Sequence, residues 1–323
     1  MPILVTGGAG YIGVHIVLQL LQQNRDVVVM DNFIHSSRSN LEQVRTLVST
    51  GTLTVHTVDL CDKANLALVF QPFDVVIHLA GLKAVGESVQ KPLYYYQNNL
   101  VSTINLLEMM QKFNTYNLLF SSSATVYKPQ KMALKETDPL GCTNPYGRTK
   151  LFIEEILRDL LVSDSRWNIT ILRYFNPIGA HPSGRIGETG GCNLVPYMMQ
   201  VAMGKQPYLE VYGDDYKTPD GTAIRDYIHV QDLAAGHLAA LEKLKGYHCY
   251  NLGTGQGTSV AEMVTAMQAI CPLPFKIVKR RPGDVALSYA ETSKAETELG
   301  WKPTRTLTEA LQSAYNWETN CKS

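Results

Sequence analysis

The chain has 323 residues, of which 45% are hydrophobic and 18% are charged, so it can build a core and lacks the composition of a disordered protein. Lys plus Arg and Asp plus Glu both number 29, and this zero net charge argues against nucleic-acid binding through bulk positive charge. No apolar run approaches the roughly 20 residues that a membrane span needs. We expect a large α/β domain that carries a second, smaller lobe.

The first residues lead directly into a strand pattern, with no charged segment, apolar segment or cleavage site of a signal peptide before it. The six cysteines, at positions 61, 142, 192, 249, 271 and 321, show neither a Cys-x-x-Cys pair nor zinc-ligand spacing. We therefore expect a cytoplasmic protein with reduced thiols, no metal site and no membrane partner.

The first half of the chain alternates short β-branched runs with helix-length amphipathic stretches. The predicted strands are residues 3–6, 27–30, 54–58, 75–78, 117–121 and 169–173. This alternation is typical of βαβ units, and the continuously apolar run 26–30 suits a parallel strand that is covered on both faces. The sequence therefore predicts a doubly wound parallel sheet of the Rossmann type.

The amino-acid composition changes after Arg173. Residues 176–225 are rich in Gly, Pro and Asn, and regular patterns return over 227–244, with a helix predicted over 233–244. We expect a dinucleotide-binding domain over 1–175 and a substrate-binding α/β lobe over 176–323, with some later segments returning to the first domain.

A glycine-rich motif follows the first predicted strand and opens a helix. Gly7, Gly10 and Gly13 permit a tight turn, close approach of the backbone to a pyrophosphate, and close packing of the helix on the strand. Tyr11 and Ile12 begin that helix, whose N-terminus offers N–H groups to phosphate. A glycine turn without a ligand would need neither the strand before it nor the helix after it.

An acidic residue stands where such a motif requires one. Asp31 lies 18 residues after Gly13 and closes the second predicted strand. A carboxylate there accepts hydrogen bonds from ribose hydroxyls and repels a 2′-phosphate, which favours NAD over NADP. Arg38 is near enough in sequence to leave NADP open.

Two later strand ends fit the same site. Asp59 follows the third strand, where a carboxylate can reach the adenine amino group, and the small residues of 79–83 follow the fourth. The ligands of open parallel sheets bind beyond the carboxyl ends of the strands, so these segments are expected to meet there.

The chemical centre is expected at the start of a helix. Asn144 suits the N-cap and Pro145 the first helical position. Tyr146 and Lys150 are four residues apart and project from one face. An ammonium neighbour, together with the positive nicotinamide, is expected to lower the pKa of the phenol from about 10. Ser123, at the end of the strand upstream, supplies a hydroxyl beside this pair.

This arrangement resembles the extended short-chain dehydrogenase/reductase superfamily and, within it, the UDP-galactose 4-epimerases. The segments that carry the resemblance are residues 4–13, 80–92, 120–127, 172–182 and 225–230, which cover the chain almost end to end. The resemblance implies bound NAD, a UDP-sugar substrate, and inversion at C4 without net redox change. It implies that Tyr146 takes the proton of the 4-hydroxyl, that Ser123 bridges by hydrogen bonds, and that Lys150 holds the nicotinamide ribose.

The resemblance also implies contacts for individual residues. The expected NAD contacts are Gly7, Gly10, Tyr11, Ile12, Gly13, Asp31, Asn32, Ser36, Asp59, Leu60, Leu79, Ala80, Gly81, Lys83, Asn98, Ser123, Tyr146, Lys150 and Phe175. The expected UDP-sugar contacts are Lys83, Ser123, Tyr146, Asn176, Asn193, Leu194, Glu210, Val211, Tyr212, Arg225, Arg281, Asp284 and Ser288. The two arginines are suited to the diphosphate, because guanidinium groups form paired hydrogen bonds with phosphate oxygens.

One position of the family bears on the choice of sugar. Epimerases restricted to glucose and galactose have Tyr four residues beyond the Asp of the Arg-x-Gly-Asp segment, whereas Ser288 stands there in this chain. The smaller side chain leaves space for an acetamido group, so we expect interconversion of UDP-GlcNAc and UDP-GalNAc beside UDP-Glc and UDP-Gal. Tyr289 is adjacent, and a one-residue shift of the strand would close the pocket and restrict the enzyme to plain hexoses.

Other functions remain as alternatives. Related dehydratases and decarboxylases carry Asp or Glu after the catalytic Ser or Thr, whereas Ala124, Thr125 and Val126 cannot transfer protons here. A binding or redox-sensing module would not need the Ser, Tyr and Lys together, and nothing in the sequence favours a scaffold. The family implies a homodimer through helices near 92–113 and 147–162, although the apolar stripe of the second helix is also explained by packing on its own sheet.

Overall fold

The computed structural model describes residues 1–188, 190–191, 193–281 and 284–320. Two of the six cysteines, Cys192 and Cys321, and the middle of the 281–284 segment lie outside these residues. The elements up to residue 163 are β1 (Ile3–Thr6), α1 (Tyr11–Gln22), β2 (Val27–Asp31), α2 (Arg38–Leu47), β3 (Leu53–Thr57), α3 (Lys63–Val69), β4 (Val75–His78), α4 (Val85–Gln90), α5 (Pro92–Lys112), β5 (Asn117–Ser123), a 3₁₀ turn (Ala124–Val126) and α6 (Pro145–Ser163).

The later elements are shorter on average. They are β6 (Asn168–Tyr174), β7 (Asn176–Ile178), α7 (Leu194–Ala202), β8 (Leu209–Tyr212), β9 (Ile224–Arg225), β10 (Tyr227–His229), α8 (Val230–Leu241), β11 (Tyr247–Leu252), β12 (Thr258–Ser259), α9 (Val260–Gln268), β13 (Phe275–Val278), β14 (Leu287–Ser288), α10 (Ser293–Leu299) and α11 (Leu307–Asn320).

The central sheet has seven strands in the order β11-β6-β5-β4-β1-β2-β3. The pairs β1–β2, β1–β4, β2–β3 and β4–β5 are all parallel. The chain crosses from one side of β1 to the other between β3 and β4, and the ligands of such doubly wound sheets bind at this switch in strand order. The expected Rossmann-type α/β fold is confirmed.

The strands form because most of their residues are apolar and both faces of the sheet are covered. All four residues of β1 and of β4, and all five of β2, are buried. Their side chains join a core with those of the flanking helices, including Leu106 and Met110 of α5 and Ile153 and Leu157 of α6. The apolar stripe of α6 is thus explained at least in part by packing on its own sheet.

The chain divides into two compact units. The first comprises Met1–Lys128, Pro139–Arg173 and Ala234–Tyr250, and the second comprises Pro129–Asp138, Tyr174–Leu233 and the residues from Asn251 onward. The second unit has its own core, built around Met198, Met263, Met267 and Leu311. It also has three small sheets, β10-β7, β12-β9-β14 and β13-β8. The division of function between residues 1–175 and 176–323 stays a prediction.

The described residues offer neither a metal site nor a membrane span. No group of three or more His, Cys, Asp or Glu side chains among them could hold a metal ion. None of the helices in these ranges is long and apolar enough to cross a membrane. Cys61, Cys142, Cys249 and Cys271 form no disulfide.

Candidate active site

The turn between β1 and α1 has no room for side chains. Gly7 has a φ of +67°, and a Cβ on it would lie 2.8 Å from the amide nitrogen of Ala80. A Cβ on Gly13 would lie 2.5 Å from the carbonyl oxygen of Gly7. Gly10 is the N-cap of α1 and has no side chain to cover the helix N-terminus. The turn therefore offers what a pyrophosphate requires: a close backbone and the uncovered positive end of a helix, which begins with Tyr11 and Ile12.

Asp31 ends β2 beside this turn, and its carboxylate is buried. Its Oδ2 accepts the N–H of Ala9 at 3.0 Å, and its Oδ1 accepts the N–H of Phe33 and the hydroxyl of Ser36, both at 2.9 Å. These bonds fix the carboxylate between the glycine turn and the loop after β2. A fixed carboxylate at this position suits the ribose hydroxyls of a dinucleotide.

The guanidinium of Arg38, whose charge left NADP binding as an alternative, contacts Phe33 and Thr57 rather than the carboxylate of Asp31. Its guanidinium carbon is 4.9 Å from the centroid of the Phe33 ring, and its Nη2 donates to the hydroxyl of Thr57 on β3. The charge of Arg38 is thus held by an aromatic face and a strand hydroxyl.

The residues that follow β2 and β3 lie close to each other and to α5. The side-chain amide of Asn32 donates to Oδ2 of Asp59 at 3.3 Å, and Oδ1 of Asp59 accepts the N–H of Cys61 at 2.8 Å. The Sγ of Cys61 contacts the carbonyl oxygen of Asn98 at 3.5 Å. Leu60, which stands between Asp59 and Cys61 in the sequence, is buried. Asn32, Asp59 and Asn98 therefore line one region of the first unit.

The loop after β4 runs beside the glycine turn. The N–H of Leu79 donates to the carbonyl of Thr6 at 3.2 Å, and Ala80 and Gly81 continue the loop with small side chains. Lys83 lies with its Nζ 5.8 Å from the ring centroid of Tyr11, at the start of α1. This loop brings Lys83 to the same end of the parallel strands as the glycine turn.

The start of α6 presents the expected pair. The side chain of Asn144 caps the helix by accepting the N–H of Gly147 at 2.8 Å, and Pro145 occupies the first turn. A Cβ on Gly147 would lie 2.8 Å from the carbonyl oxygen of Thr125, so glycine lets the helix pack closely on the 3₁₀ turn after β5. Tyr146 is partly buried and Lys150 is buried one turn later.

Ser123 is the last residue of β5 and contacts both its turn and the phenol. Its Oγ accepts the N–H of Thr125 at 3.2 Å and the hydroxyl of Thr125 at 3.0 Å. Burial raises the pKa of Tyr146 above its ordinary value, and the hydrogen bond with Ser123 lowers it. The serine is therefore the group that favours the phenolate in this structure.

Lys150 contacts the end of β5. Its Nζ donates to the carbonyl of Ser121 at 2.7 Å and lies 4.9 Å from the centroid of the Phe120 ring. Burial lowers the pKa of Lys150 to about 8, against the opposing charge of Glu154. The ammonium is directed at the strand carbonyl in this structure, and the lowering of the Tyr146 pKa by Lys150 together with the nicotinamide stays a prediction.

The sugar-nucleotide residues predicted in the second unit converge through strand pairing. Asn176 on β7 pairs with Tyr227 on β10, and its side-chain amide donates to the carbonyl of Asp226 at 2.9 Å. Arg225 on β9 lies directly opposite Ser288 on β14. The structure thus brings Asn176, Arg225 and Ser288 into one neighbourhood.

A second group follows from the pairing of β13 with β8. The guanidinium carbon of Arg281 is 4.5 Å from the ring centroid of Tyr212, and its Nε donates to Asp284 at 3.1 Å. The hydroxyl of Tyr212 donates to Glu210 at 2.9 Å, and Val211 between them is buried. Arg281, Asp284, Glu210 and Tyr212 therefore belong to one cluster.

The remaining predicted contacts stand at element ends. Asn193 is the N-cap of α7 with an exposed side chain, and Leu194 packs on the core of the second unit. Phe175 is buried and donates its N–H to the carbonyl of Leu252 at 3.3 Å.

Sequence reasoning missed several side chains around these groups. Asn99 on α5 accepts the N–H of Leu82 at 2.8 Å and donates to the hydroxyl of Thr149 at 3.0 Å, which ties the loop after β4 to α6. Arg280 lies 3.8 Å from the ring centroid of Tyr216 and adds a cation beside Arg281. A polar residue on the buried face of a helix was the available signal for Asn99.

The geometry of the first unit fits a dinucleotide such as NAD. A Cβ at Gly7 or Gly13 would collide with backbone atoms, so the turn is shaped for close approach of a ligand. Asp31, Asp59 and Lys83 then place acceptors and a donor along the carboxyl ends of the strands. The pair of Tyr146 and Lys150 lies at the same end, after β5.

The chain is similar to known proteins over its whole length. A family model described as GDP-mannose 4,6 dehydratase matches residues 4–314. UDP-glucose 4-epimerase 2 of Arabidopsis thaliana is 54% identical over 98% of this chain and 95% of the relative.

Solved structures are similar in sequence and in fold. That of UDP-glucose 4-epimerase from Bifidobacterium longum, in complex with NAD⁺ and UDP, has a TM-score of 0.94 and 49% identity, covering 99% of this chain and 98% of the other. The UDP-Glc/GlcNAc 4-epimerase of Campylobacter jejuni has a TM-score of 0.86 and 37% identity, covering 99% of both chains.

Proposed function

The chain belongs to the UDP-glucose 4-epimerase family, within the wider family whose model is described as GDP-mannose 4,6 dehydratase, and we propose that its substrates include N-acetylated UDP-sugars. Its reaction is the NAD-dependent inversion of C4 in a UDP-hexose, which interconverts UDP-glucose and UDP-galactose. When bound, NAD supplies the acceptor and the donor for the C4 hydride, so the reaction has no net oxidation. Gly7, Gly10, Gly13 and Asp31 would hold it.

The proton chemistry is assigned to the residues at the end of β5 and the start of α6. The phenolate of Tyr146 takes the proton of the C4 hydroxyl, and Ser123 bridges phenol and sugar by hydrogen bonds. Lys150 supplies the positive charge beside them and holds the nicotinamide ribose. The observation that carries this assignment is the placement of Tyr146 at the start of α6, one turn before the buried Lys150, whose ammonium binds the end of the strand that carries Ser123.

The residues after Ser123 argue against the rival eliminations. Dehydration or decarboxylation would need a further proton carrier beside the sugar, and the 3₁₀ turn Ala124–Val126 contains none. Thr125 there hydrogen-bonds Ser123. Removal and return of a hydride at C4 needs only the one acid-base group.

The N-acetyl proposal rests on Ser288. A hydroxymethyl group, in place of the phenol that the family carries there in restricted members, leaves volume beside the 2-position of the sugar. A structural neighbour from C. jejuni is described as a UDP-Glc/GlcNAc 4-epimerase, which is consistent with such a range in this fold.

The strand register supports this assignment over the alternative with Tyr289. Ser288 pairs with Arg225, and its carbonyl accepts the N–H of Asp226 at 3.1 Å. The Tyr289 carbonyl accepts the N–H of Leu134 at 2.8 Å, so both edges of the strand are fixed. Adjacent side chains of a strand point to opposite faces, and the Tyr289 ring lies over Gly257, 3.4 Å from a Cβ built there.

The substitution Ser288→Tyr tests the proposal. We expect kcat/KM for UDP-GlcNAc to fall by about a hundredfold, with little change for UDP-Glc, because only the larger substituent meets the new ring. Product analysis that resolves mass and isomer measures both reactions. Tyr289→Phe serves as the control and is expected to leave both substrates unaffected. UDP-GlcNAc turnover that is absent in the parent enzyme, or unchanged in Ser288→Tyr, would refute the N-acetyl proposal.

The homodimer is likewise proposed for this chain. Large apolar side chains lie exposed on α4, α5 and α6, with fractional exposures of 61% for Val89, 80% for Leu93, 42% for Ile104 and 45% for Phe152. Clustered exposed apolar residues mark interaction surfaces, and three neighbouring helices of the first unit supply this one. A second copy of the chain is the partner that the family implies.

A further inference from the structure

A buried ion pair lies directly behind the catalytic residues of the first unit. Glu154 follows Lys150 by one turn of α6, and Arg173 is on β6; the side chains are 0% and 1% exposed. The Nη2 of Arg173 donates to Oε2 of Glu154 at 2.7 Å, and its Nε donates to Oε1 at 3.1 Å. The pair is therefore bidentate, a geometry that fixes both side chains.

The same carboxylate contacts the strand that carries the catalytic serine. The hydroxyl of Ser122 donates to Oε1 of Glu154 at 2.5 Å. Ser122 lies between Ser121, whose carbonyl accepts the Lys150 ammonium at 2.7 Å, and Ser123, whose hydroxyl contacts Tyr146. The carboxylate of Glu154 thus anchors Ser122. The residues on either side of it, Ser121 and Ser123, each contact a proposed catalytic side chain.

We propose that Glu154, oriented by Arg173, is a positioning residue for epimerisation, which fixes the end of β5 so that Ser121 and Ser123 keep their contacts with Lys150 and Tyr146. This inference rests on the proposed roles of those catalytic residues. Glu154 itself does not contact the reacting atoms and acts through Ser122 and through its charge.

The charge of Glu154 also acts on Lys150. Burial lowers the pKa of Lys150 to about 8, and the negative charge of Glu154 opposes that lowering. The groups around this pair include Arg158 of α6, whose Nη2 lies 3.8 Å from Oε2 of Glu154, and Arg173 of β6, which binds the same carboxylate. His78 on β4 faces Lys150, and burial lowers the pKa of His78 to about 3, so that its ring is neutral near pH 7. Without Glu154, the negative charge that opposes the lowering of the Lys150 pKa is lost.

The sign of the pH effect follows from this arrangement. Lys150 is charged below its pKa, and a lower pKa means that the ammonium is lost at lower pH. Neutralising Glu154 should therefore move the alkaline limb of the kcat profile toward lower pH. An ion pair that served only folding would change the yield of folded enzyme and leave this limb in place.

The test compares Glu154→Gln with Glu155→Gln in the NAD-loaded enzyme with UDP-glucose. Glu155 is the adjacent residue of α6, is exposed, and pairs with Arg158, which also lies 3.8 Å from Oε2 of Glu154; Glu155→Gln therefore removes a neighbouring carboxylate while it keeps Arg158, Glu154 and Arg173. We expect Glu154→Gln to lower kcat by about tenfold or more with KM nearly unchanged, since small displacements of catalytic groups have effects of this size. Its alkaline limb should shift to lower pH, and Glu155→Gln should match the parent enzyme.

Ser122→Ala separates the hydrogen bond from the charge and keeps the proposal testable if Glu154→Gln fails to fold. It keeps the bidentate ion pair, so we expect a lower kcat with an unshifted alkaline limb. Wild-type kcat in Ser122→Ala, or a folded Glu154→Gln enzyme with wild-type kcat and pH profile, overturns the proposal. Absence of epimerase activity in the parent enzyme would instead refute the proposed function.

Discussion

The hydroxyl proton of Ser123 is directed by the two bonds that its oxygen already accepts. Both come from Thr125, from the N–H at 3.2 Å and from the hydroxyl at 3.0 Å. The remaining proton of Ser123 is then available to Tyr146, in agreement with the lowering that Ser123 exerts on the pKa of the phenol. To bridge to the sugar, Ser123 must also accept a bond from the C4 hydroxyl, and the Thr125 hydroxyl then has to turn away and free one acceptor site.

Removal of the phenol tests this role most simply. In Tyr146→Phe we expect kcat for UDP-glucose to fall by about a thousandfold, the range found when a general acid-base group is lost. Folding and the amount of bound NAD should be unchanged, because the glycine turn and Asp31 are untouched; circular dichroism and the coenzyme content of the purified protein check this. Tyr247→Phe, a partly exposed tyrosine elsewhere in the first unit, is the control. Activity of Tyr146→Phe within about twofold of the parent would rule out the phenol as the base.

The sequence identifies candidate catalytic side chains but not the residues that support them. Tyr146, Lys150 and Ser123 are recognisable because helix spacing and strand ends determine where they point. The pairing of Glu154 with Arg173 depends on two elements separated in sequence and meeting only in the fold. The sequence signal for this ion pair was the carboxylate of Glu154 within the apolar stripe of α6. That signal does not identify Arg173 as the partner of Glu154.

At the scale of elements, buried parallel strands were the most predictable feature. β1 and β4 have the predicted bounds, since each consists of three consecutive apolar residues followed by one buried polar residue, Thr6 or His78. β5 continues to Ser123, two residues beyond the predicted end, because the serines remain in the ladder and are buried. The helix predicted over 233–244 begins at Val230, where β10 ends without an intervening loop.

The small sheets of the second unit could not be predicted from pattern. β13 is mostly exposed and β9 and β14 have two residues each, so none has an apolar periodicity to recognise. Their pairing nevertheless brings Arg225 opposite Ser288. Register in such short strands is determined by tertiary hydrogen bonds, including those to Asp226.

The exposed face of α5 supports a prediction about assembly. The double substitution Leu93→Arg with Ile104→Arg should convert a dimer into a monomer, because two charges would have to be desolvated at the centre of an apolar interface. Light scattering coupled to size-exclusion chromatography measures the mass, which should fall from twice the chain mass to the chain mass.

A matched control is available on another helix. Leu68 on α3 is 81% exposed and lies outside the proposed interface, so Leu68→Arg should leave the dimer intact. A parent enzyme with the mass of a single chain at micromolar concentration, or a double variant that stays dimeric, would contradict the assignment of this face.

At the scale of the whole molecule, the residues proposed for the coenzyme and those proposed for the sugar nucleotide fall largely in different compact units. The first contains the glycine turn, Asp31, Ser123, Tyr146 and Lys150, and the second contains the arginines and acids assigned to the sugar nucleotide. The membership of Pro129–Asp138 in the second unit was not expected, because that segment lies in sequence between Ser123 and Tyr146. The composition of the sequence changes after Arg173, and the second unit resumes at Tyr174.

The central claim is that hydrogen leaves C4 of the sugar and returns to the same carbon from the opposite face. The most direct measurement is the fate of deuterium at C4 of UDP-glucose during conversion by the NAD-loaded enzyme in ordinary water. The account predicts UDP-galactose of unchanged mass that retains the deuterium at C4, formed more slowly than from the unlabelled substrate. Loss of the label to solvent, or a product of altered mass, would contradict it.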